Sequence, residues 1–431
     1  MNKTVLSMAL AILISGSIYA NNENIESNGN NDKEFAIDVQ LRSRAEYRNG
    51  ALFPRESGVS PAGFINDRAR LSLSYGRDNL KLKVSGQHVG VWGQDPMINR
   101  NGRFDLNEAW GEMSFGNGFF ARVGRQGLAY DDERILGTLE WHVAGRYHDA
   151  LKVGYEKDGH KLHGIFAFNQ NDEKFFGGSY YDNSYTGLYK NMQTLWYNYS
   201  SSSPLSVSLL FMNTGQEAGN AETKVSDTKY MQTMGTHLTY KCGQLGLKGS
   251  FYYQTGKDVQ SRTVSSFMAS AVADYSPAEN FSLNAGADYL SGSKSSDSKN
   301  KAFNPLYGSH HLFYGAMDYF YATPFKNNLN LGLWDAYAGV KYSPSKRVSM
   351  SLNYHYFATG VELEGIKRTL GSEIDYSMNI KLMKDVSMSA GYSVMLGTSG
   401  MDAVKGGNHD SWQDWGWVSL NINPRLFFSK W

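Results

Sequence analysis

Residues 64–91 read FINDRARLSLSYGRDNLKLKVSGQHVGV, and the fold follows from them. Arg68, Arg70, Ser72 and Ser74 alternate with Ala69, Leu71, Leu73 and Tyr75. Gly76-Arg77-Asp78-Asn79 interrupts the run, and alternation resumes with Lys81 and Lys83 set between Leu80, Leu82 and Val84. Neighbours along a strand point to opposite faces, so apolar residues at every second position mark half-buried strands. Gly, Asp and Asn between two such runs suit a tight hairpin turn. The segment is expected to fold as a hairpin with one greasy face and one cationic face.

Outward from this hairpin the same pattern continues from Phe35 almost to residue 431. It predicts strands at about 36–48, 64–76, 79–91, 104–116, 118–126, 146–156, 159–170, 190–200, 204–213, 230–242, 244–256, 264–275, 280–290, 331–343, 346–357, 370–383, 385–396 and 412–423. Eight connections are tight turns rich in Gly, Asn, Asp or Pro, such as Gly116-Asn117-Gly118, Lys157-Asp158-Gly159, Ser201-Ser202-Ser203-Pro204 and Lys384-Asp385. Long connections alternate with them, at 49–63, 92–103, 127–145, 171–189, 214–229, 257–263, 291–330, 358–369 and 397–411. Strict alternation of short turns and long loops is the mark of a transmembrane β-barrel, with periplasmic turns and extracellular loops. The expected fold is therefore all-β: an antiparallel barrel of about 18 strands, with both ends on the periplasmic side. A β-sandwich has no reason to alternate its loops in this way.

Composition agrees. The chain has 28 Tyr, 22 Phe, 9 Trp and 45 Gly but only 9 Pro, and its mean hydropathy is −0.45. No stretch beyond residue 20 is apolar for the length a spanning helix needs. Residues 1–20, MNKTVLSMALAILISGSIYA, combine Lys3, an apolar run from Val5 to Ile14 and small residues up to Ala20. They read as a secretory signal peptide cleaved after Ala20, which predicts export to the outer membrane of a Gram-negative cell. Residues 21–34 have a single apolar side chain and read as a disordered periplasmic tail, leaving 35–431 for the barrel. The closing Leu426-Phe427-Phe428-Ser429-Lys430-Trp431 resembles the terminal aromatic tag read by barrel-assembly machinery. Expected partners are that machinery, outer-membrane lipid and lipopolysaccharide. A net charge of +1 without basic runs argues against nucleic acid. The single Cys242 provides no disulfide framework.

Alternation also assigns faces. In the first strand Ile37, Val39, Leu41, Ala45 and Tyr47 face lipid, so Asp38, Arg42, Arg44, Glu46 and Arg48 face inward. The same parity sends Arg68, Arg70, Lys81, Lys83, Arg122, Arg146 and Lys152 inward, with Glu108 and Glu112. Asp149 falls on the outward parity and needs a place near a strand end. An arginine facing lipid near the midplane would cost about 2–4 kcal/mol. On the first six strands ten inward cations thus meet four inward carboxylates. Such a ladder either draws anions into a narrow lumen or braces the wall through ion pairs. The long 291–330 connection contains Phe303-Asn304-Pro305-Leu306-Tyr307-Gly308 and His311-Leu312-Phe313-Tyr314-Gly315, and its aromatics predict a loop folded over or into the pore mouth.

The segments VGRQ (123–126), YDDERILG (130–137) and Trp141 followed by GRYHDA (145–150), together with Arg42, Arg44 and Arg48, resemble the alginate export family of outer-membrane barrels. The resemblance is strongest over about 36–156 and is supported later by the FNPLYG segment. It implies an eighteen-stranded channel with an electropositive lumen for uronate-type polyanions. Arg42, Arg44, Arg48, Arg122, Arg125, Arg134 and Arg146 match the constriction, with Asp131 and Glu133 as counter-charges. One departure is the absence of a long periplasmic plug near the end of the chain, where only Lys384-Asp385 stands. That favours a porin-like or uptake role over gated secretion.

Catalytic motifs are missing: there is no HExxH, CxxC or GxSxG, and no cofactor is expected. His310 and His311 would point apart on a strand, and Asp131-Asp132-Glu133 could hold surface Ca²⁺ but fits a charged loop better. A passive channel for sugar acids or other small anions is the leading expectation. The alternatives are a non-conducting adhesin or structural barrel with partner-binding loops, and an outer-membrane hydrolase using a serine at the lumen rim.

Overall fold

The computed structural model describes residues 32–431 apart from 96, 98–103, 176–177, 183, 185–186, 201–202 and 363. The expected signal peptide at 1–20 and most of the tail at 21–34 lie outside the described residues. Glu34, assigned to that tail by composition, is instead the first residue of a strand.

The strands are β1 (Glu34–Asn49), β2 (Ala62–Arg77), β3 (Leu80–Val91), β4 (Asp105–Gly116), β5 (Phe119–Gln126), β6 (His148–Lys157), β7 (His160–Phe168), β8 (Asn191–Ser200) and β9 (Leu205–Glu217). They continue with β10 (Thr228–Cys242), β11 (Leu245–Lys257), β12 (Thr263–Ala278), β13 (Phe281–Leu290), β14 (Leu333–Ser345), β15 (Val348–Ala358), β16 (Thr369–Met383), β17 (Val386–Gly397), β18 (Gln413–Ile422) and β19 (Arg425–Lys430). Through β18, each pairs antiparallel with its neighbour in sequence. β1 closes the circle, pairing with β18 through Leu41–Asn49 and with β19 through Glu34–Asp38. β18 and β19 are two halves of one strand stepped at Asn423-Pro424. Pro424 has no N–H for the ladder, but its carbonyl still accepts from Val39 N at 3.1 Å. The barrel is thus closed and eighteen-stranded, with Lys33 and Trp431 exchanging backbone hydrogen bonds.

The short turns follow their chemistry. Asp78, Asn117, Asp158 and Asp385 all take positive φ, a region that Asn and Asp tolerate better than most residues. Strand ends fall within a few residues of the sequence reading except in the last strand, expected to stop at 423 but continued by β19 to Lys430, and β16 and β17 are joined by Lys384-Asp385 alone. The outer face carries exposed Leu71, Leu73, Leu82, Val84, Leu151 and Val153. Exposed aromatics ring both ends: Phe119, Tyr199, Tyr240, Tyr275 and Tyr342 near the short turns, Phe168, Tyr230, Trp334 and Tyr356 near the long loops.

A core lies inside the barrel. Leu128, Ile135 and Leu136 of loop 127–147 cluster with Phe303, Tyr307, Tyr314, Met317, Tyr319 and Phe320 of loop 291–332, all buried. The aromatic loop does fold inward, as its composition predicted. It reaches several walls: Asn304 O accepts from Gln254 on β11, Met317 N donates to Glu373 on β16, and Tyr319 Oη donates to Gln413 on β18. A seven-residue helix, α1 (Ser399–Lys405), sits in the last long loop, and Lys405 donates to Thr323 O and Pro324 O of loop 291–332.

Candidate functional site

The cationic face of β1 and β2 points at a finger formed by residues 138–146. Arg146 N donates to Thr138 O at 2.7 Å and closes the base of the finger. Arg42 Nη1 donates to Glu140 O at 2.7 Å and Nη2 to His142 O at 3.1 Å, while Arg44 Nη1 donates to Trp141 O at 2.9 Å. The Glu140 carboxylate receives Arg68 Nη1 at 2.8 Å and Arg70 Nη1 at 3.1 Å. Burial pushes the Glu140 carboxyl up, but Arg68, Arg70 and Arg42 outweigh it and hold the group below its ordinary value. Burial and the surrounding arginines, Arg44 and Arg42 first, push His142 down. Arg44 also lies 4.1 Å over the Trp141 ring, and Trp141 stacks on His311 at 4.0 Å and meets Trp417 edge-on at 4.9 Å. Above this, Glu46 binds Arg44 Nε at 2.8 Å and Arg48 Nη2 at 2.8 Å, and accepts from Trp415 Nε1.

Nearer the short turns a second basic wall spans β3–β6. Lys81 and Arg122 share Glu112 at 3.7 and 2.6 Å, and Lys83 meets Glu108 at 2.5 Å. Arg122 stacks 3.9 Å over Trp110. Lys152, opposite Arg122 in register, lies 5.5 Å over Phe120.

The two segments that carried the family resemblance meet inside the lumen. Leu136 and Tyr307 form a parallel bridge, flanked by Tyr307 N to Ile135 O at 3.0 Å, Gly137 N to Tyr307 O at 2.9 Å and Ser309 N to Glu133 O at 2.9 Å. Gly308 is needed here, since a Cβ would sit 2.2 Å from Arg134 O. Arg146 donates to the carbonyls of Tyr307 and Gly308, and burial lowers its pKa.

Two expectations need correction, those for Arg125 and Asp131. Arg125 is not in the lumen: it shares the outward parity of Phe119 and Val123, pairs with exposed Asp149 at 2.9 Å and lies 4.3 Å over Tyr147. That pair sits at the long-loop rim, which explains how Asp149 tolerates the outward face. Asp131 accepts from Trp196 Nε1, burial pushing its carboxyl up, and Glu133 accepts from Ser309 Oγ and Thr138 N. Neither pairs with Arg134, although Glu133 does oppose Arg146, raising its pKa against the effect of burial. The partners of Arg134 are Asp132 and Asp288, each at 2.8 Å.

Sequence reading also missed Glu140, which lies in a loop where parity assigns nothing. It missed the inward carboxylates Asp288, Asp335, Glu373 and Asp375, which alternate with exposed Trp334, Ile374 and Tyr376 and were open to the same parity rule. His355 meets Asp335 at 2.9 Å on that wall.

The chemistry of the basic side is decided by sharing. Glu46, Glu140 and Glu112 each serve two cations. Arg42 and Arg146 spend their donors on backbone carbonyls. Bracing and a surplus of positive charge therefore coexist on this wall.

Known proteins bear on this architecture in two ways. In overall shape the chain is similar to outer-membrane proteins of Pseudomonas aeruginosa: OccK3 (OpdO) at TM-score 0.62 and 12% identity, covering 91% of this chain and 96% of that one, and OccK9 (OpdG) at 0.61 and 13%, covering 91% and 98%. OccK11 (OpdR) follows at 0.59 and 9%, covering 92% and 96%. These likenesses are of fold, an outer-membrane porin-like barrel. No curated protein matches the chain in sequence. The sequence profile described as alginate export matches residues 33–369, which is most of the barrel and includes both segments that meet at Leu136 and Tyr307. The chain belongs to the alginate export family.

Proposed function

We propose that this outer-membrane channel passes anionic solutes of the uronate type, small sugar acids or their oligomers, in preference to neutral sugars. The observation that carries the reading is the sharing of Glu46, Glu140 and Glu112 between pairs of cations. A wall with fewer carboxylates than cations, set in a confined lumen, concentrates anions. Trp110, stacked under Arg122, adds aromatic surface beside the charges that would hold a carboxylate. The two-residue turn at 384–385 suits a porin-like conduit. The pore-lining set in this reading is Arg42, Arg44, Arg48, Arg68, Arg70, Lys81, Lys83, Arg122 and Lys152, with Arg134 and Arg146 anchoring the inserted loops.

Swelling of proteoliposomes in isosmotic solutes tests it. Entry of D-glucuronate faster than D-glucose is expected; equal rates, or faster glucose, would overturn the preference. One observation favours a second reading, a non-conducting barrel that binds a surface partner through its loops: the buried core that loops 127–147 and 291–332 build inside the lumen. Correctly folded protein that passes no solute at all would support that reading instead.

A further inference from the structure

Glu140 is placed where a permeating carboxylate would be held. Its carboxylate takes both guanidiniums, Arg68 on Oε2 at 2.8 Å and Arg70 on Oε1 at 3.1 Å and Oε2 at 3.4 Å, and charge-assisted pairs of this kind are the strong ones among hydrogen bonds. The Arg68 side chain is fully buried and that of Arg70 is 13% exposed, whereas that of Glu140 is 23% exposed. Glu140 is thus the most exposed of the three side chains, and Arg68 the most enclosed.

The finger does not depend on that carboxylate for its shape. Its base is closed by Arg146 N to Thr138 O, and His142 N donates to Leu139 O at 3.0 Å. Arg42 and Arg44 hold its backbone carbonyls, and Gln87 holds Ala144 O at 2.8 Å. Trp141 is fixed by stacking on His311. Gly145, at φ +73°, keeps the space beside the carboxylate clear, since a Cβ there would stand 3.1 Å from Glu140 Oε1. The Glu140 side chain can therefore swing away while the finger stays in place.

We propose that Arg68 and Arg70 form a clamp for the carboxylate of the permeating solute, and that Glu140 fills it between passages as a displaceable internal stand-in. The inference rests on the anion-channel reading and deepens it. One carboxylate replaces another on the same two guanidiniums, so the exchange leaves no buried cation unpaired at its end. A tethered competitor lowers the fraction of clamps that are open, and the affinity for solute falls by that fraction. Such a site holds a solute weakly enough to release it, which conduction requires.

Single-channel block in planar bilayers tests this with the full chain, D-glucuronate as probe and D-glucose as neutral control. Glu140→Gln and Glu140→Ala should each lower the half-blocking concentration of glucuronate by about tenfold and leave glucose unaffected. Glu140→Asp, which keeps the charge, should stay within about twofold of the parent. Two independent variants guard against one failing to assemble. If both leave the glucuronate half-block unchanged or raise it, or if no block occurs in any variant, the stand-in is wrong. An anion-selective reversal potential in those same channels would leave the broader reading intact, and a cation-selective one in the parent would remove both.

Discussion

Arg134 Nη1 lies 2.8 Å from Asp288 Oδ2, a bond that ties loop 127–147 to β13 across 154 residues of sequence. Both side chains are almost fully buried, and Arg134 Nε reaches Asp132 at 2.8 Å. Deleting one member of a buried ion pair strands the other and costs about 3–5 kcal/mol. Arg134→Leu should destabilise the barrel by about that much in urea titrations of protein folded into lipid vesicles. Arg134→Leu combined with Asp288→Leu should recover part of the loss, because the more deeply buried of the two stranded carboxylates is removed while Asp132 remains. A double variant no more stable than the single one would contradict this role.

Acid should free the Glu140 side chain from Arg68 and Arg70 while the finger keeps its shape. Arg68, Arg70 and Arg42 hold the Glu140 carboxyl below its ordinary value against the upward push of burial. A carboxyl depressed in the folded state contributes stability that is present above its unfolded value of about 4.3 and is lost as pH falls through the folded value. Open-channel current noise should therefore rise as pH is stepped from about 5 to about 3. Glu140→Gln should show the raised noise already at neutral pH. Noise independent of pH in the parent would refute the link.

Crowding at Gly391 should report on the same region from the far side. A Cβ on Gly391 would stand 2.4 Å from Trp417 Nε1, its cross-strand neighbour on β18, and Trp417 packs against Trp141. Gly391→Val should cost about 1–3 kcal/mol by overpacking, and it should alter tryptophan fluorescence as Trp417 shifts. Unchanged stability and unchanged fluorescence together would show that the aromatic stack has room to spare.

The barrel was legible in the sequence because its information is local. Alternation and turn residues are written along each hairpin, so the pairs 64–76 with 79–91 and 370–383 with 385–396 could be read without knowing any partner. The lumen was half legible for the same reason. Parity placed Arg42, Arg44, Arg68, Lys83 and Arg122 on the inner wall, but it cannot reach into loops. Glu140 takes its partner Arg68 from 72 residues away, and Arg134 takes Asp288 from 154 residues away. Arg125 was misplaced because family likeness put it with the constriction, while the alternation of its own strand pointed it outward.

The most direct test of the account is the zero-current reversal potential of the reconstituted channel across a KCl gradient. The surplus of cations over shared carboxylates on β1–β6 predicts a chloride-selective sign, shifted toward zero when Lys81, Lys83 and Lys152 are replaced by Gln together. A potassium-selective sign in the parent channel would contradict the account.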